Sequence, residues 1–241
     1  MFKDRSILAV VPARGGSKGI PLKNLRELCG VSLVGITGRV IQQLSWIDRA
    51  VVSTDDDRIA EAAEAEGIDA PFRRPESLSG DRIGDWDVLK QALEEMEAQD
   101  DRRYDIVLML QPTSPLRTPQ QVEACVRKLM DGNFDAVWTV SETDSKGHPL
   151  KQLVVSANGE MDYYDPRGAE IIARQQLQPV YHRNGVAYAI TRDCLLNHGS
   201  IKGNRSGALV VDEPLANIDT EADLEWAEIV AGKLQLEWLR P

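Results

Sequence analysis

The sequence has few cysteines, few aromatic residues and no long apolar run. Its three cysteines, Cys29, Cys125 and Cys194, are an odd number without C-x-x-C spacing, which excludes a disulfide scaffold and indicates thiols in a reducing compartment. No run approaches the roughly 20 apolar residues of a transmembrane helix. The apolar run at residues 7–11 is too short for the core of a signal peptide. We therefore predict a cytoplasmic protein with no membrane partner.

An excess of positive charge is also absent. The 28 basic and 38 acidic residues give a formal net charge of −10, which argues against binding to nucleic acid or to an anionic membrane. One stretch departs from this balance, because residues 6–26 contain no Asp or Glu but include Arg14, Lys18 and Lys23. A basic, glycine-containing stretch in an acidic protein indicates a binding site for a small anion.

Apolar runs and helical patterns alternate along the first half of the chain. This order predicts an α/β protein with a mostly parallel sheet and helices on both faces. The 241 residues suffice for a single domain with a buried core. The predicted strands are residues 7–11, 50–53, 68–72, 105–110, 136–140, 152–155, 185–190 and 208–211. The predicted helices are residues 31–44, 57–66, 88–98, 119–130 and 220–236.

Two segments interrupt this alternation. Residues from about 145 to 180 are rich in Gly, Pro, Asp and Gln, and form either a dimerisation arm or a long surface loop. Residues 12–24 follow the first strand directly and contain Gly15, Gly16 and Gly19. The N–H groups of such a loop can converge on an oxyanion, and its arginine and lysines can neutralise phosphate charge.

The loop at residues 12–24 matches neither the G-x-x-x-x-G-K-[ST] nor the G-x-G-x-x-G pattern. A plain strand-to-helix turn is the alternative to an anion site. The basic charge of the loop, with no acidic residue nearby in the sequence, favours a polyphosphate site.

The same loop resembles the signature loop of the CMP-sialic acid synthetases, the N-acylneuraminate cytidylyltransferases. Further blocks that resemble this family follow in order at residues 52–56, 73–78, 110–117, 148–151, 174–177, 183–188 and 218–223. The block at residues 110–117 is the most specific, and the related CMP-Kdo synthetases fit less well. The resemblance implies a Rossmann-like nucleotide-transferase fold in one domain, residues 1–241, and a homodimer in which residues 145–180 cross to the partner.

The reaction that the resemblance implies is nucleotidyl transfer. The anomeric hydroxyl of a nine-carbon acidic 2-keto sugar attacks the α-phosphate of CTP with assistance from Mg²⁺, and pyrophosphate leaves. The resemblance assigns Arg14 and Lys23 to charge neutralisation in catalysis. It assigns the nucleotide to Arg14, Gly16, Ser17, Lys18, Asn24, Arg74, Asp85 and Gln111. It assigns the sugar to Gln111, Lys151, Arg174 and Tyr188.

Two residues depart from the family pattern. The metal site usually has a D-x-D pair, and here the pair is Asn217 and Asp219; an amide oxygen can bind a hard cation but carries less charge. Asp219 could instead cap the last helix. Asp85 stands where a serine near the cytosine is usual. Its carboxylate could accept from the cytosine amino group, pair with guanine, or point to solvent.

These departures leave two alternatives to the cytidylyltransferase hypothesis. One is a related enzyme that uses GTP and a sugar phosphate, and the other is a catalytically weakened homologue that only binds nucleotide. The presence of Arg14, Lys23, Gln111 and Asp219 together argues against the second.

Overall fold

The computed structural model describes residues 2–239, so residue 1 and residues 240–241 of the predicted domain lie outside the described residues. The strands are β1 (Ile7–Pro12), β2 (Glu27–Leu28), β3 (Val31–Ser32), β4 (Arg49–Ser53), β5 (Ile106–Met109), β6 (Ala136–Glu142), β7 (Leu153–Val155), β8 (Met161–Tyr163), β9 (Tyr181–Thr191) and β10 (Ser206–Val210). The α-helices are α1 (Leu33–Gln42), α2 (Asp57–Glu64), α3 (Asp85–Gln99), α4 (Pro119–Asp131), α5 (Arg192–Leu196) and α6 (Glu221–Leu234).

Six strands form the central sheet, in the order β10-β6-β9-β5-β1-β4. Strand β9 pairs antiparallel with β5 and β6, whereas the other pairs in this sheet are parallel. This confirms the predicted α/β class with a mostly parallel sheet. The strand predicted at residues 68–72 is wrong, because only Asp69 forms an isolated bridge to Val51. Pro71 follows it and has no N–H to continue a ladder.

The core lies on both faces of the sheet because successive strand side chains point to opposite faces. In β1, Ile7 and Val11 join one cluster of buried apolar side chains, and Leu8 and Val10 join another. The first cluster includes residues of α1, α2 and α4, and the second includes residues of α3 and α5. Helices therefore cover both faces, as predicted. This arrangement leaves the carboxyl ends of the parallel strands open for a ligand.

Residues 143–180 form an arm between β6 and β9. The arm contains the antiparallel hairpin β7–β8 and short 3₁₀ helices, and most of its residues are exposed. His148 is an exception, because its Nδ1 accepts from the Leu150 N–H and its Nε2 lies 3.0 Å from the Gln178 carbonyl oxygen. These two contacts give His148 a structural role within the arm. None of the helices described between residues 2 and 239 is long and apolar enough to cross a membrane.

Candidate active site

A cleft of about 430 Å³ lies at the carboxyl ends of β1 and β5. The loop after β1 forms one wall, and the segment after β5 together with the start of α3 forms the other. Most of the residues that the sequence predicted for the site line this cleft: Arg14, Ser17, Lys18, Lys23, Asn24, Arg74, Asp85, Gln111 and Asp219. Side chains from five separate parts of the sequence therefore meet where ligands of open α/β sheets bind.

The glycine loop is held by contacts with its neighbours. The Gly15 N–H donates to Asp55 Oδ1 at 2.8 Å, and the buried Asn24 amide donates to the Arg14 carbonyl oxygen at 3.0 Å. A side chain at Gly19 would place Cβ only 2.5 Å from the backbone oxygen of Asp219. Asn24 thus shapes the loop from behind. Gly16 is exposed, with nothing within 4 Å of the position of a Cβ.

The basic side chains of the loop have acidic partners, so the predicted absence of compensating charge is wrong. The sequence could not show these partners because they come from distant parts of the chain. Arg14 and Lys18 both pair with Asp81, Lys23 pairs with Asp219 at 2.8 Å, and Arg26 pairs with Glu221. Three cations of the cleft, Arg14, Lys18 and Lys23, are therefore paired with carboxylates that also line it.

A buried arginine, Arg74, forms part of the lining of the cleft. Its Nε donates to Ser53 Oγ at 3.0 Å and its Nη2 donates to the Ser53 carbonyl oxygen. Burial lowers the pKa of Arg74 to about 10, a change that the charge of Asp55 opposes. The guanidinium remains a cation at neutral pH and adds positive potential to the cleft.

A second buried arginine, Arg117, shapes the loop after β5. Its Nε donates to the Ser114 carbonyl oxygen at 3.0 Å and its Nη2 donates to the Gln111 carbonyl oxygen. The side chain is fully buried, its Nη1 has no hydrogen-bond partner among the described residues, and desolvation lowers its pKa. Arg117 is part of the motif at residues 110–117, but no feature of that motif indicates that its side chain holds the Gln111 backbone from within the core.

Asp85 is the first residue of α3 and its side chain is 31% exposed. Burial raises the pKa of its carboxyl, whereas the charges of Arg183 and Arg74 act in the opposite direction. The Arg183 guanidinium lies 3.8 Å from the Asp85 carboxylate and sits over the Trp138 ring. The alternative in which Asp85 points to solvent is wrong, because its side chain lines the cleft.

The two predicted metal ligands face different cavities. Asp219 lines the cleft, whereas Asn217 lines a neighbouring cavity of about 350 Å³ together with Asp212. Thr220, and not Asp219, is the N-cap of α6, and it forms a capping box with Asp223. Within residues 2–239 there is no group of three or more His, Cys, Asp or Glu side chains arranged to hold a metal ion. Asp219 is therefore the only one of the two in position to meet a metal in the cleft.

The residues predicted to bind the sugar are dispersed, apart from Gln111. Lys151 and Arg174 are exposed on the arm and do not line the cleft. Tyr188 is 2% exposed in β9 and packs edge-to-face on Trp138, with 5.7 Å between ring centroids. Burial raises the pKa of its hydroxyl. Tyr188 is thus a core residue, and its expected contact with the sugar is not available at the surface of this chain.

Comparisons with known proteins agree with this geometry. Residues 8–234 match the cytidylyltransferase family model. Pseudaminic acid cytidylyltransferase of Campylobacter jejuni is 29% identical over 225 residues, which is 92% of this chain and 95% of that protein. CMP-N,N'-diacetyllegionaminic acid synthase of Legionella pneumophila is 31% identical over 232 residues, which is 92% of this chain and 93% of that protein.

Solved structures show the same fold at lower identity. CMP:2-keto-3-deoxy-manno-octonic acid synthetase complexed with CTP superposes with a TM-score of 0.68 at 20% identity, over 95% of this chain and 99% of that one. A 4-diphosphocytidyl-2C-methyl-D-erythritol synthase from Anaerococcus prevotii superposes with a TM-score of 0.60 at 14% identity, over 96% and 97% of the two chains. With a family model that covers nearly all of its length and a cationic cleft at the ends of its parallel strands, the chain belongs to the cytidylyltransferase family of nucleotidyltransferases.

Proposed function

We propose that the protein transfers CMP from CTP to a nonulosonic acid, a sialic-acid-like nine-carbon 2-keto sugar acid, and releases pyrophosphate. The observation that carries the proposal is the convergence of Arg14, Lys18, Lys23 and the buried Arg74 on one cleft. Relatives named for pseudaminic and legionaminic acids match over nearly the full chain, which supports this class of acceptor.

The geometry suits transfer at a phosphorus atom. Such a reaction depends on positioning and on neutralising charge more than on covalent catalysis. Arg14 and Lys23 reach the cleft from one wall and can stabilise the charge that develops on the phosphates. Gln111 is on the opposite wall and is the residue that we assign to the boundary between nucleotide and acceptor. Arg117 holds its backbone from behind. Asp85 is available as an acceptor for an amino group of the base.

We propose Mg²⁺ as the metal that accompanies CTP. Mg²⁺ is usually held by one or two carboxylates together with substrate phosphates, and Asp219 in the cleft provides one carboxylate. The ion would neutralise phosphate charge and orient the leaving pyrophosphate. Lys23 must then share or release Asp219, with which it forms an ion pair here. Asn217 would contribute little, because it lines the neighbouring cavity.

We further propose a homodimer formed through the arm. Eight large apolar side chains of the arm and its base are exposed in this chain: Leu153, Val154, Val155, Met161, Tyr163, Tyr164, Ile172 and Tyr181. An exposed apolar surface of this kind is typical of a protein interface. The partner's arm would bring Lys151 and Arg174 to the cleft of the opposite subunit.

The free cysteines, two of them buried, support a cytoplasmic location for the enzyme.

The first experiment is a thermal-unfolding series with CTP, GTP, ATP and UTP, each with and without Mg²⁺. A ligand that binds only the folded state raises the free energy of unfolding by RT ln(1 + [L]/Kd). At equal concentrations the series therefore ranks the nucleotides by affinity. We expect a CTP-selective shift that Mg²⁺ enlarges, followed by pyrophosphate release when a nonulosonic acid is added. A GTP-selective shift would favour Asp85 as a reader of guanine. Binding without pyrophosphate release from any acid sugar would support a homologue that only binds nucleotide.

A further inference from the structure

One carboxylate bridges the two most exposed cations of the glycine loop. Asp81 Oδ1 lies 3.0 Å from Arg14 Nη2, and Asp81 Oδ2 pairs with Lys18 Nζ. Asp81 also lines the cleft itself, so the carboxylate is inside the site and not beside it. The two cations that the sequence assigns to phosphate thus already hold an anion from their own chain.

A carboxylate and a phosphate present similar groups to these cations. Both are anions whose oxygen atoms accept charge-assisted hydrogen bonds from guanidinium and ammonium groups. A phosphate group that took its bonds from both Arg14 and Lys18 would occupy the place of the Asp81 carboxylate. Nucleotide phosphates that approach Arg14 and Lys18 therefore compete with Asp81 for the same N–H groups.

Asp81 is placed where it can be displaced at small cost. It belongs to residues 79–84, which link the 3₁₀ helix Glu76–Leu78 to α3 and have a glycine on either side of it, Gly80 and Gly84. Its side chain is 41% exposed, and that of Lys18 is 80% exposed, so water solvates both groups when the pair separates. The Lys23–Asp219 pair is different, because the Lys23 side chain is only 15% exposed.

We propose that Asp81 is a positioning residue that competes with phosphate for Arg14 and Lys18. In the empty site it holds both cations in the cleft. Incoming CTP displaces it, and it pairs with the cations again as pyrophosphate leaves. The inference rests on the proposed function in one respect, namely that the cleft receives the phosphates of CTP. The competition lowers the affinity for both the substrate and the leaving group, and so it favours release of pyrophosphate.

The test measures the affinities of CTP, inorganic pyrophosphate and cytidine for the wild-type protein and for Asp81→Asn, by titration calorimetry with Mg²⁺ present. Loss of two exposed ion pairs of small individual strength should tighten CTP and pyrophosphate by about three- to tenfold. Cytidine has no phosphate, and its affinity should not change. Asp131→Asn is the matched control, because Asp131 is an exposed aspartate paired with Lys3 on the surface, away from the cleft. It removes the same charge and should leave all three affinities unchanged.

Kinetic measurements separate competition from a purely structural role. In Asp81→Asn the KM for CTP and the inhibition constant of pyrophosphate should both fall. A disordered loop would instead raise both of these constants. Asp81→Ala should behave in the same way if Asp81→Asn does not fold. Unchanged or weaker binding of pyrophosphate in folded variants would overturn the inference. The wild-type protein could fail to bind CTP while Asp81→Asn still tightens the binding of pyrophosphate. That result would refute the proposed substrate and would leave the role of Asp81 unchanged.

Discussion

Substitution of Arg14 should affect the proposed reaction much more than it affects the stability of the fold. Its side chain is 31% exposed and its partner Asp81 is also accessible, so the ion pair adds little to stability. We expect Arg14→Ala to lower kcat/KM by at least about 10²- to 10³-fold, as for the loss of one group that stabilises transition-state charge. Its melting temperature should stay close to that of the wild type.

The control for this prediction is Arg127→Ala, which removes a 49% exposed arginine from an ion pair on the surface of α4. It should keep full turnover. If Arg14→Ala retained turnover, or if both variants lost it equally, Arg14 would have no specific role in the reaction.

At the residue scale, the sequence indicated which basic side chains line the cleft, but it did not indicate their acidic partners. Arg14, Lys18 and Lys23 follow a strand directly, so the end of that strand places them in the cleft. The pairing of Asp81 with Arg14 and Lys18 has no signal in the sequence. An ion pair depends on proximity in space, and no local pattern marks an aspartate that lies far along the chain. The burial of Tyr188 had no sequence signal for a related reason, since a motif shows neither which face of a strand a side chain takes nor what covers it.

Helix α3 is tied to the start of α5 by a half-buried ion pair. The Glu97 carboxylate accepts from Arg192 Nε and Nη2 at 2.8 and 2.9 Å, and from the Tyr104 N–H at 3.0 Å. The hydrogen bonds from Arg192 hold the pKa of Glu97 below its usual value. The stability that this ionised carboxylate confers is therefore complete above its ordinary pKa and is lost as the pH falls through the lowered one.

We expect Glu97→Gln to lower the free energy of unfolding by about 2 kcal/mol at neutral pH, because charge-assisted hydrogen bonds are lost. The difference from the wild type should shrink as the pH falls below the ordinary pKa of a glutamate, about 4.3. Urea titrations at several pH values measure both effects. Glu94→Gln is the control on the same helix, because Glu94 is 56% exposed and lies 3.8 Å from Lys90. A difference that stayed constant with pH would show that the charge of Glu97 does not cause the effect.

Element boundaries followed from local signals wherever those signals were strong. Thr118 with Gln121 and Thr220 with Asp223 form capping boxes at the starts of α4 and α6, and the predicted starts agree with these helices. The expectation of a strand at residues 68–72 failed where Pro71 ended the local pairing. Ile68 is the one buried residue of this segment, so neither burial nor strand pairing continues along it.

For the whole molecule, the proposed dimer makes each active site a shared one. In a single chain Lys151 and Arg174 are exposed on the arm and do not reach the cleft. Lys151→Ala and Arg174→Ala should therefore raise the KM for the sugar acid far more than the KM for CTP. The opposite pattern would mean that the arm serves the nucleotide. Light scattering during size exclusion should show a dimer, and a monomer would refute the shared site.

Mixed dimers test the sharing directly. When Arg14→Ala and Lys151→Ala proteins are unfolded, mixed in equal amounts and refolded, random pairing in a twofold dimer should restore about one quarter of the wild-type sites. The restored sites combine the loop of one protomer with the arm of the other. The control is a mixture of Arg14→Ala with Arg127→Ala. Both proteins have an intact arm, so exchange of chains should leave the number of active sites unchanged. No recovery in the first mixture would show that each chain completes its own site.

The arm leaves the sheet and returns to it at neighbouring points, because Glu142 at the end of β6 pairs with Tyr181 at the start of β9. The two ends of the insertion are therefore neighbours in the sheet, and the entropy cost of closing such a loop rises only slowly with its length. The arm can therefore change in length or sequence without changing the pairing of β6 with β9. Relatives could diverge in acceptor or in assembly by remodelling residues 143–180 while the register of the sheet and the nucleotide cleft stay as they are.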